Sequence, residues 1–185
     1  QWAKQRPNEP WLFQSAGSSW HSTTWAQADA QIRSMATALK NLGIPAGSAI
    51  AISGRNTAHW FLADLAIGMA GYVSVGLYPK QSVDAVSYIL KHCEAKGVFI
   101  GPMPDADEFA KALPEGVIKI GFPYPDLGIS CDYQWDALVK KSEPFSGYLP
   151  PDPKQVATLV YTSGTTGNPK GVMITGENMT YATTG

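Results

Sequence analysis

The chain has 185 residues, of which 44% are hydrophobic and 16% charged, with a formal net charge of −1. That length suits one domain or one large piece of a domain, and the near-neutral balance supplies no field to draw nucleic acid or an anionic membrane. Only two cysteines occur, Cys93 and Cys131. They are too few for a disulfide framework and too far apart for a metal knuckle, so reduced thiols and a cytoplasmic setting are expected.

The start, QWAKQRPNEP, is polar, lacks a signal-peptide pattern and lacks Met, and reads as a trimmed terminus. PWLFQSAGSSWHS then predicts two short strands around a Gly/Ser turn. Thr24 and Gln27 form a capping-box signal. Trp25, Ala28, Ile32, Met35, Leu39 and Leu42 recur at steps of three and four, which marks one face of a helix that Gly43 ends. SAIAIS predicts a buried strand, and Asn56 or Thr57 can cap a helix through AHWFLADLAIGMA that stops at Gly71. The apolar run Trp60–Tyr78 is nearly long enough to span a bilayer, but Asp64 and its glycines split it into a helix and a strand, YVSVGL.

Ser82 can cap a third helix that buries Val83, Val86, Ile89, Leu90 and Cys93. GVFIG is a strand, DADEFAKAL a short helix and GVIKIG another strand. This alternation predicts an α/β fold with a mainly parallel sheet flanked by helices. Six prolines between 121 and 153 loosen the order that follows, although YQWDALVKK retains a helical pattern. Residues 144–153 read as a connector. VATLVYT and GVMIT are then strands on either side of a loop, and Glu177 to Gly185 read as the opening of a helix.

That loop lies within YTSGTTGNPKGVM, Tyr161 to Met173. It is not a Walker A motif, because Lys170 follows Pro169 rather than a glycine. It nevertheless has the parts of a phosphate loop. Gly164, Gly167 and Gly171 permit positive φ and close backbone approach. Successive N–H groups can then converge on an anion. Thr162, Ser163, Thr165 and Thr166 add hydroxyl donors, and Lys170 adds a mobile positive charge. A polar hairpin tip would explain the glycines and Asn168-Pro169. It would not explain four hydroxyl residues and a lysine within the nine positions 162–170.

YTSGTTGNPKGV closely resembles the phosphate-loop signature of the adenylate-forming, AMP-binding superfamily, which includes acyl- and aryl-CoA synthetases, luciferases and peptide-synthetase adenylation domains. Upstream, TTWAQADAQIRSMATALKNLGIPAGSAIAISGRNTAHWFLADLAIGMAGYVSVGLYP resembles the start of such enzymes more loosely. GLYPKQSVDAVSYILKHCEAKGVFIG is most like the long-chain fatty-acid branch of the acyl-CoA synthetases. Two departures stand out. TGEN, Thr175 to Asn178, occurs where members often have Thr-His-x-Asn, and His59 precedes Trp60 where many have glutamate.

The resemblance implies a two-step reaction: a carboxylate attacks the α-phosphate of ATP to form an acyl-adenylate, and coenzyme A then takes the acyl group. Its cofactors and cosubstrates would be ATP, Mg²⁺ and coenzyme A. Thr162, Ser163, Gly164, Thr165, Thr166, Gly167 and Lys170 would hold the ATP phosphates that leave as pyrophosphate. The family's adenine and ribose contacts, its catalytic lysine and most of its acyl pocket fall later in its sequences. The expectation is therefore that residues 1–185 are an N-terminal fragment of the large AMP-binding domain. Such a fragment would lack the C-terminal domain, hold no catalytic or metal-ligating residue, be inactive alone and self-associate through exposed edges. The partner would be a fatty or other carboxylic acid, not nucleic acid. No transmembrane segment is expected, and peripheral membrane association stays open. Two alternatives also remain open: a non-catalytic nucleotide- or phosphate-binding scaffold, and a fatty acyl-AMP ligase loading a carrier protein. His21, His59 and His92 are scattered without ligand spacing and read as structural or surface residues, with His92 suited to a helix C-terminus. Cys93 reads as a core residue, and Asp64 as a capping or interface carboxylate.

Overall fold

A computed structural model describes residues 1–78, 80–147, 152–162 and 167–184. The elements follow in the order α1 (Trp2–Gln5), β1 (Pro10–Ala16), β2 (Ser19–Thr24), α2 (Trp25–Asn41), β3 (Ala49–Ser53), α3 (Ala58–Ala70), β4 (Val73–Leu77) and α4 (Val83–His92). Then come β5 (Gly97–Ile100), α5 (Ala106–Ala112), β6 (Ile118–Gly121), β7 (Tyr133–Gln134), α6 (Trp135–Lys141), β8 (Val156–Thr162), β9 (Lys170–Thr175) and α7 (Gly176–Thr184).

Among the described residues, seven strands form one sheet in the order β7-β6-β5-β3-β4-β8-β9. Every pairing is parallel except β8 with β9. The chain winds from β3 to β4 through α3, then crosses back to β5 through α4. Alternating side chains of β3 serve two cores. Ile50 and Ile52 join α2, α3 and α6 on one face, with Phe99, Phe122 and Trp135. Ala49 and Ala51 join α4 and α5 on the other, with Val75, Val98 and Ile100. Parallel strands buried on both faces read as continuous apolar runs, as SAIAIS does.

The expected fold class agrees with this architecture, and the local signals explain its ends. Thr24 Oγ1 accepts from Gln27 N at 3.3 Å while Thr24 N donates to Gln27 Oε1 at 2.9 Å, so α2 opens on a complete capping box. Thr57 caps α3 and Ser82 caps α4 by the hydroxyl bond alone, accepting from Trp60 N and Ala85 N at 3.3 Å. Gly71 ends α3 in the left-handed region, φ 83°. Ala28, Ile32, Met35 and Leu39 are buried along α2, while Trp25 and Leu42 at its ends are half-buried. The α1 turn and the two-residue strand β7 were not expected. Tyr133 and Gln134 fall within the predicted helical run but pair with Ile120 and Gly121 of β6, which delays the helix to Trp135. No helix among the described residues is long and apolar enough to cross a membrane.

The β1–β2 hairpin docks on the α3 end of the sheet through polar contacts. Gln14 Oε1 accepts from Ala58 N at 2.9 Å and from Tyr124 Oη at 3.3 Å. Tyr124 Oη in turn lies 2.8 Å from His59 Nδ1. The His59 ring meets Tyr124 and Trp135 edge-on, both at 5.2 Å between centroids. Burial holds the His59 pKa down at about 4, against 6.5 ordinarily, with Asp136 opposing the shift. The imidazole is thus neutral in the fold and takes up a proton more readily in the unfolded chain. Its contribution to stability is complete above pH 6.5 and is lost as pH falls through the window from 6.5 to about 4. The expected loss is about 2–3 kcal/mol, reduced from the full shift because the ring is only half-buried. Urea denaturation at pH 7.5 and 4.5 measures it: the His59→Asn variant should lose less stability than the parent by that amount.

Candidate functional site

The phosphate-loop segment is carried by a hairpin. Strand β8 is anchored in the sheet by parallel pairing with β4, from Ser74↔Thr158 to Gly76↔Val160, and Thr158 Oγ1 donates to Ser74 O at 3.1 Å. Strand β9 returns antiparallel, with Tyr161 opposite Gly171 and Thr162 opposite Lys170. The hairpin thus brings together the first and last residues of the predicted phosphate set. Both side chains are exposed, and Lys170 has no ion-pair partner among the described residues, so its ammonium is available to a ligand. Gly167 adopts φ 150°, inside the range that favours glycine. Ser163, Gly164, Thr165 and Thr166 lie outside the described residues.

Beneath the loop, Tyr161 is buried at 4% exposure within the α4–α5 core. Its hydroxyl lies 2.7 Å from Nδ1 of His92, the last residue of α4. Burial pushes the Tyr161 pKa up to about 12, with the neighbouring Cys93 and Tyr88 adding to the effect, so the phenol stays protonated. The ring also lies over Gly171: a Cβ there would come within 3.0 Å of Tyr161 Cζ. A side chain at 171 would therefore crowd the Tyr161 ring of its ladder partner, which favours glycine there by packing alone. The sequence reading missed the His92–Tyr161 contact. Its one local signal is parity, since residues 159 and 161 of β8 face the same core.

At TGEN the two residues shared with the family pattern, Thr175 and Asn178, bond each other. Thr175 N and Oγ1 both donate to Asn178 Oδ1, at 3.0 and 2.9 Å, and Asn178 N donates to Thr175 Oγ1 at 3.2 Å. Thr175 and Asn178 thus close the start of α7 as a reciprocal cap, which needs no histidine at the intervening position. His21 is exposed on β2 and His59 belongs to the hairpin-docking network. Cys93 is half-buried, with its thiol pKa pushed up by burial, and its Sγ lies 3.7 Å from Leu90 O. Both cysteines are free. Among the described residues, no group of three His, Cys, Asp or Glu side chains is arranged to hold a metal ion.

A cavity of about 1130 Å³ lies at the opposite end of β8, beside Val156 and Thr158, and is lined by Trp11, Trp25, Asp64 and Met69 among others. It is remote in register from Thr162, and the polar groups of its lining, such as Lys40, Ser74 and Thr158, come from separate elements rather than from one glycine-rich loop. The phosphate-binding candidate is therefore the hairpin and not the larger space.

Known proteins share both the pattern and the fold. A long-chain-fatty-acid–CoA ligase of Xenopus laevis is 30% identical over 188 residues, which covers 92% of this chain and 24% of the relative. A benzoate CoA ligase from Burkholderia xenovorans LB400 superposes with a TM-score of 0.80 at 21% identity, covering 97% of this chain and 34% of that one. A fatty acyl-adenylate ligase from L. pneumophila, solved with acyl adenylate and pyrophosphate, gives a TM-score of 0.71 at 21% identity, covering 98% of this chain and 30% of that one. The chain spans about a quarter of the length of the curated relative it matches. Residues 1–185 match the AMP-binding enzyme family from end to end, and the chain belongs to that family.

Proposed function

We propose that this chain supplies the phosphate loop of an ATP-dependent acyl-CoA synthetase acting on long-chain fatty acids. The observation that carries the reading is the hairpin with an exposed Lys170 opposite an exposed Thr162, in a family member whose relatives include a long-chain-fatty-acid–CoA ligase. In the first step a carboxylate oxygen bonds to the α-phosphorus of ATP and the bond to the β-phosphate oxygen breaks, releasing pyrophosphate. In the second the thiol sulfur of coenzyme A bonds to the acyl carbon, and AMP leaves.

Negative charge grows on the departing pyrophosphate. Backbone N–H groups and hydroxyls of Thr162, Ser163, Gly164, Thr165, Thr166 and Gly167, with the Lys170 ammonium, are suited to hold that charge. ATP enters as its magnesium complex, and the metal shares the same charge. A carrier-protein thiol as the acyl acceptor remains the second reading within this chemistry, since a fatty acyl-adenylate ligase also shares the fold.

Lys170→Ala, made in the full polypeptide, should slow fatty-acid-dependent ATP–pyrophosphate exchange more than it weakens carboxylate binding. A charge-assisted contact is worth about 1.5–3 kcal/mol, or roughly 10–150-fold in rate. An unchanged exchange rate refutes the assignment.

The chain by itself holds a leaving group without the adenine, ribose and carboxylate contacts that the resemblance assigns to later sequence. It should therefore show no exchange with a panel of fatty acids. Strand β9 ends the sheet, and Val172, Met173 and Tyr181 are 48%, 67% and 81% exposed. Light scattering should accordingly show association at high concentration. Robust exchange by a monomeric 185-residue chain would place the active site elsewhere.

A further inference from the structure

Tyr161 is the last buried side chain of β8 before the phosphate loop, and it touches both roots of that loop at once. It belongs to the outgoing strand, and its ring covers Gly171 on the returning strand, where a Cβ would lie 3.0 Å from Cζ and 3.2 Å from Oη. The next rung of the ladder is Thr162 opposite Lys170. On its far side, Tyr161 Oη and His92 Nδ1 share a hydrogen bond of 2.7 Å, and the two rings meet perpendicularly at 5.8 Å. Tyr88 stacks on the other side of His92, with centroids 5.4 Å apart. His92 ends α4, which is fixed in the core by Val86, Ile89 and Leu90.

Strand β9, by contrast, is an edge strand that pairs, among the described residues, with β8 on one side. Nothing else among the described residues ties its first residues to a helix layer. The Tyr161 ring is therefore the contact through which this end of the hairpin meets the α4–α5 layer, with its hydroxyl on the exposed His92 and beside the Cys93 thiol.

We propose that His92 and Tyr161 are positioning residues for the phosphate loop: their hydrogen bond fixes the Thr162–Lys170 rung so that the hydroxyl and the ammonium meet the pyrophosphate end of ATP. The inference rests on the ATP-binding reading of that loop. Neither residue touches the nucleotide; both act through the rung. Donors displaced by about an ångström lose much of their effect on a reacting phosphate.

The test uses Tyr161→Phe, which removes the hydroxyl; His92→Leu, which removes the ring nitrogen; and His92→Asn, whose amide presents a polar atom where Nδ1 stood. In ATP–pyrophosphate exchange by the full polypeptide, Tyr161→Phe and His92→Leu should each raise the KM for MgATP and for magnesium pyrophosphate about tenfold, the size of one lost hydrogen bond. The fatty-acid KM should stay within about twofold. His92→Asn should restore most of the loss, and Tyr161→Phe combined with His92→Leu should be no worse than either alone. Amide hydrogen exchange on this chain gives a readout that needs no catalysis: protection at Thr162 and Lys170 should fall in Tyr161→Phe and His92→Leu, hold in His92→Asn, and stay unchanged in β3.

Unchanged nucleotide KM values in variants of an active parent overturn the proposal. So does a uniform fall for every substrate that tracks a lowered Tm. An inactive parent that still shows the local pattern of amide protection overturns the adenylation reading and leaves the anchor standing.

Discussion

The structure depends on β3. Its five residues are fully or nearly fully buried, and it pairs in parallel with β4 on one side and β5 on the other. Ile50 and Ile52 face one helix layer while Ala49 and Ala51 face the other, so a single strand specifies both cores. A one-residue slip would exchange isoleucine for alanine across the sheet and leave voids on one face and crowding on the other. Gly54, just past its end, has φ 132°, and a Cβ there would lie 2.8 Å from Gly101 Cα, so the chain leaving β3 packs directly on the backbone beyond β5.

From that centre the sheet grows outward to strands of decreasing support. Among the described residues, β4 is held on both edges, β8 by β4 and β9, and β9 by β8 alone. The phosphate-loop segment thus sits at one edge of the sheet, opposite the short edge strand β7. A loop that must wrap a flexible triphosphate benefits from a mobile lysine. A loop that must stabilise a developing charge needs fixed donors. On the proposed ATP-binding reading, a buried tyrosine against a helix end reconciles these demands, since it packs on the loop's roots while the Lys170 side chain stays exposed.

The two departures from the family pattern lie in defined local settings. At residues 175–178, threonine and asparagine cap α7 reciprocally, and a histidine at the intervening position would add nothing to that cap. At residue 59, a neutral imidazole bonds Tyr124 inside an aromatic cluster with Phe122 and Trp135. A carboxylate there would face a larger desolvation cost, since it would have to stay charged or take up a proton. Trp135 is itself fully buried and finds a partner for its indole N–H in Gln31 of α2, at 3.1 Å. Polar docking and aromatic packing are therefore combined at the same end of the sheet.

By itself the sequence determined the element types and much of their boundaries, because those signals are local: caps at Thr24, Thr57 and Ser82, stops at Gly43 and Gly71, and apolar periods in between. It also carried the phosphate-loop pattern, because glycines, hydroxyls and a lysine crowd into a few consecutive positions. Only the tertiary structure decided which strands are neighbours, that β9 runs antiparallel at an edge, and that Tyr133 and Gln134 leave the helical pattern to extend β6. These depend on hydrogen bonds between segments far apart in the chain, on which local periodicity is silent. The contact between His92 and Tyr161 is of the same kind. The two residues are separated by 69 positions, and neither stands out from its neighbours until the sheet brings the end of α4 to the root of the loop.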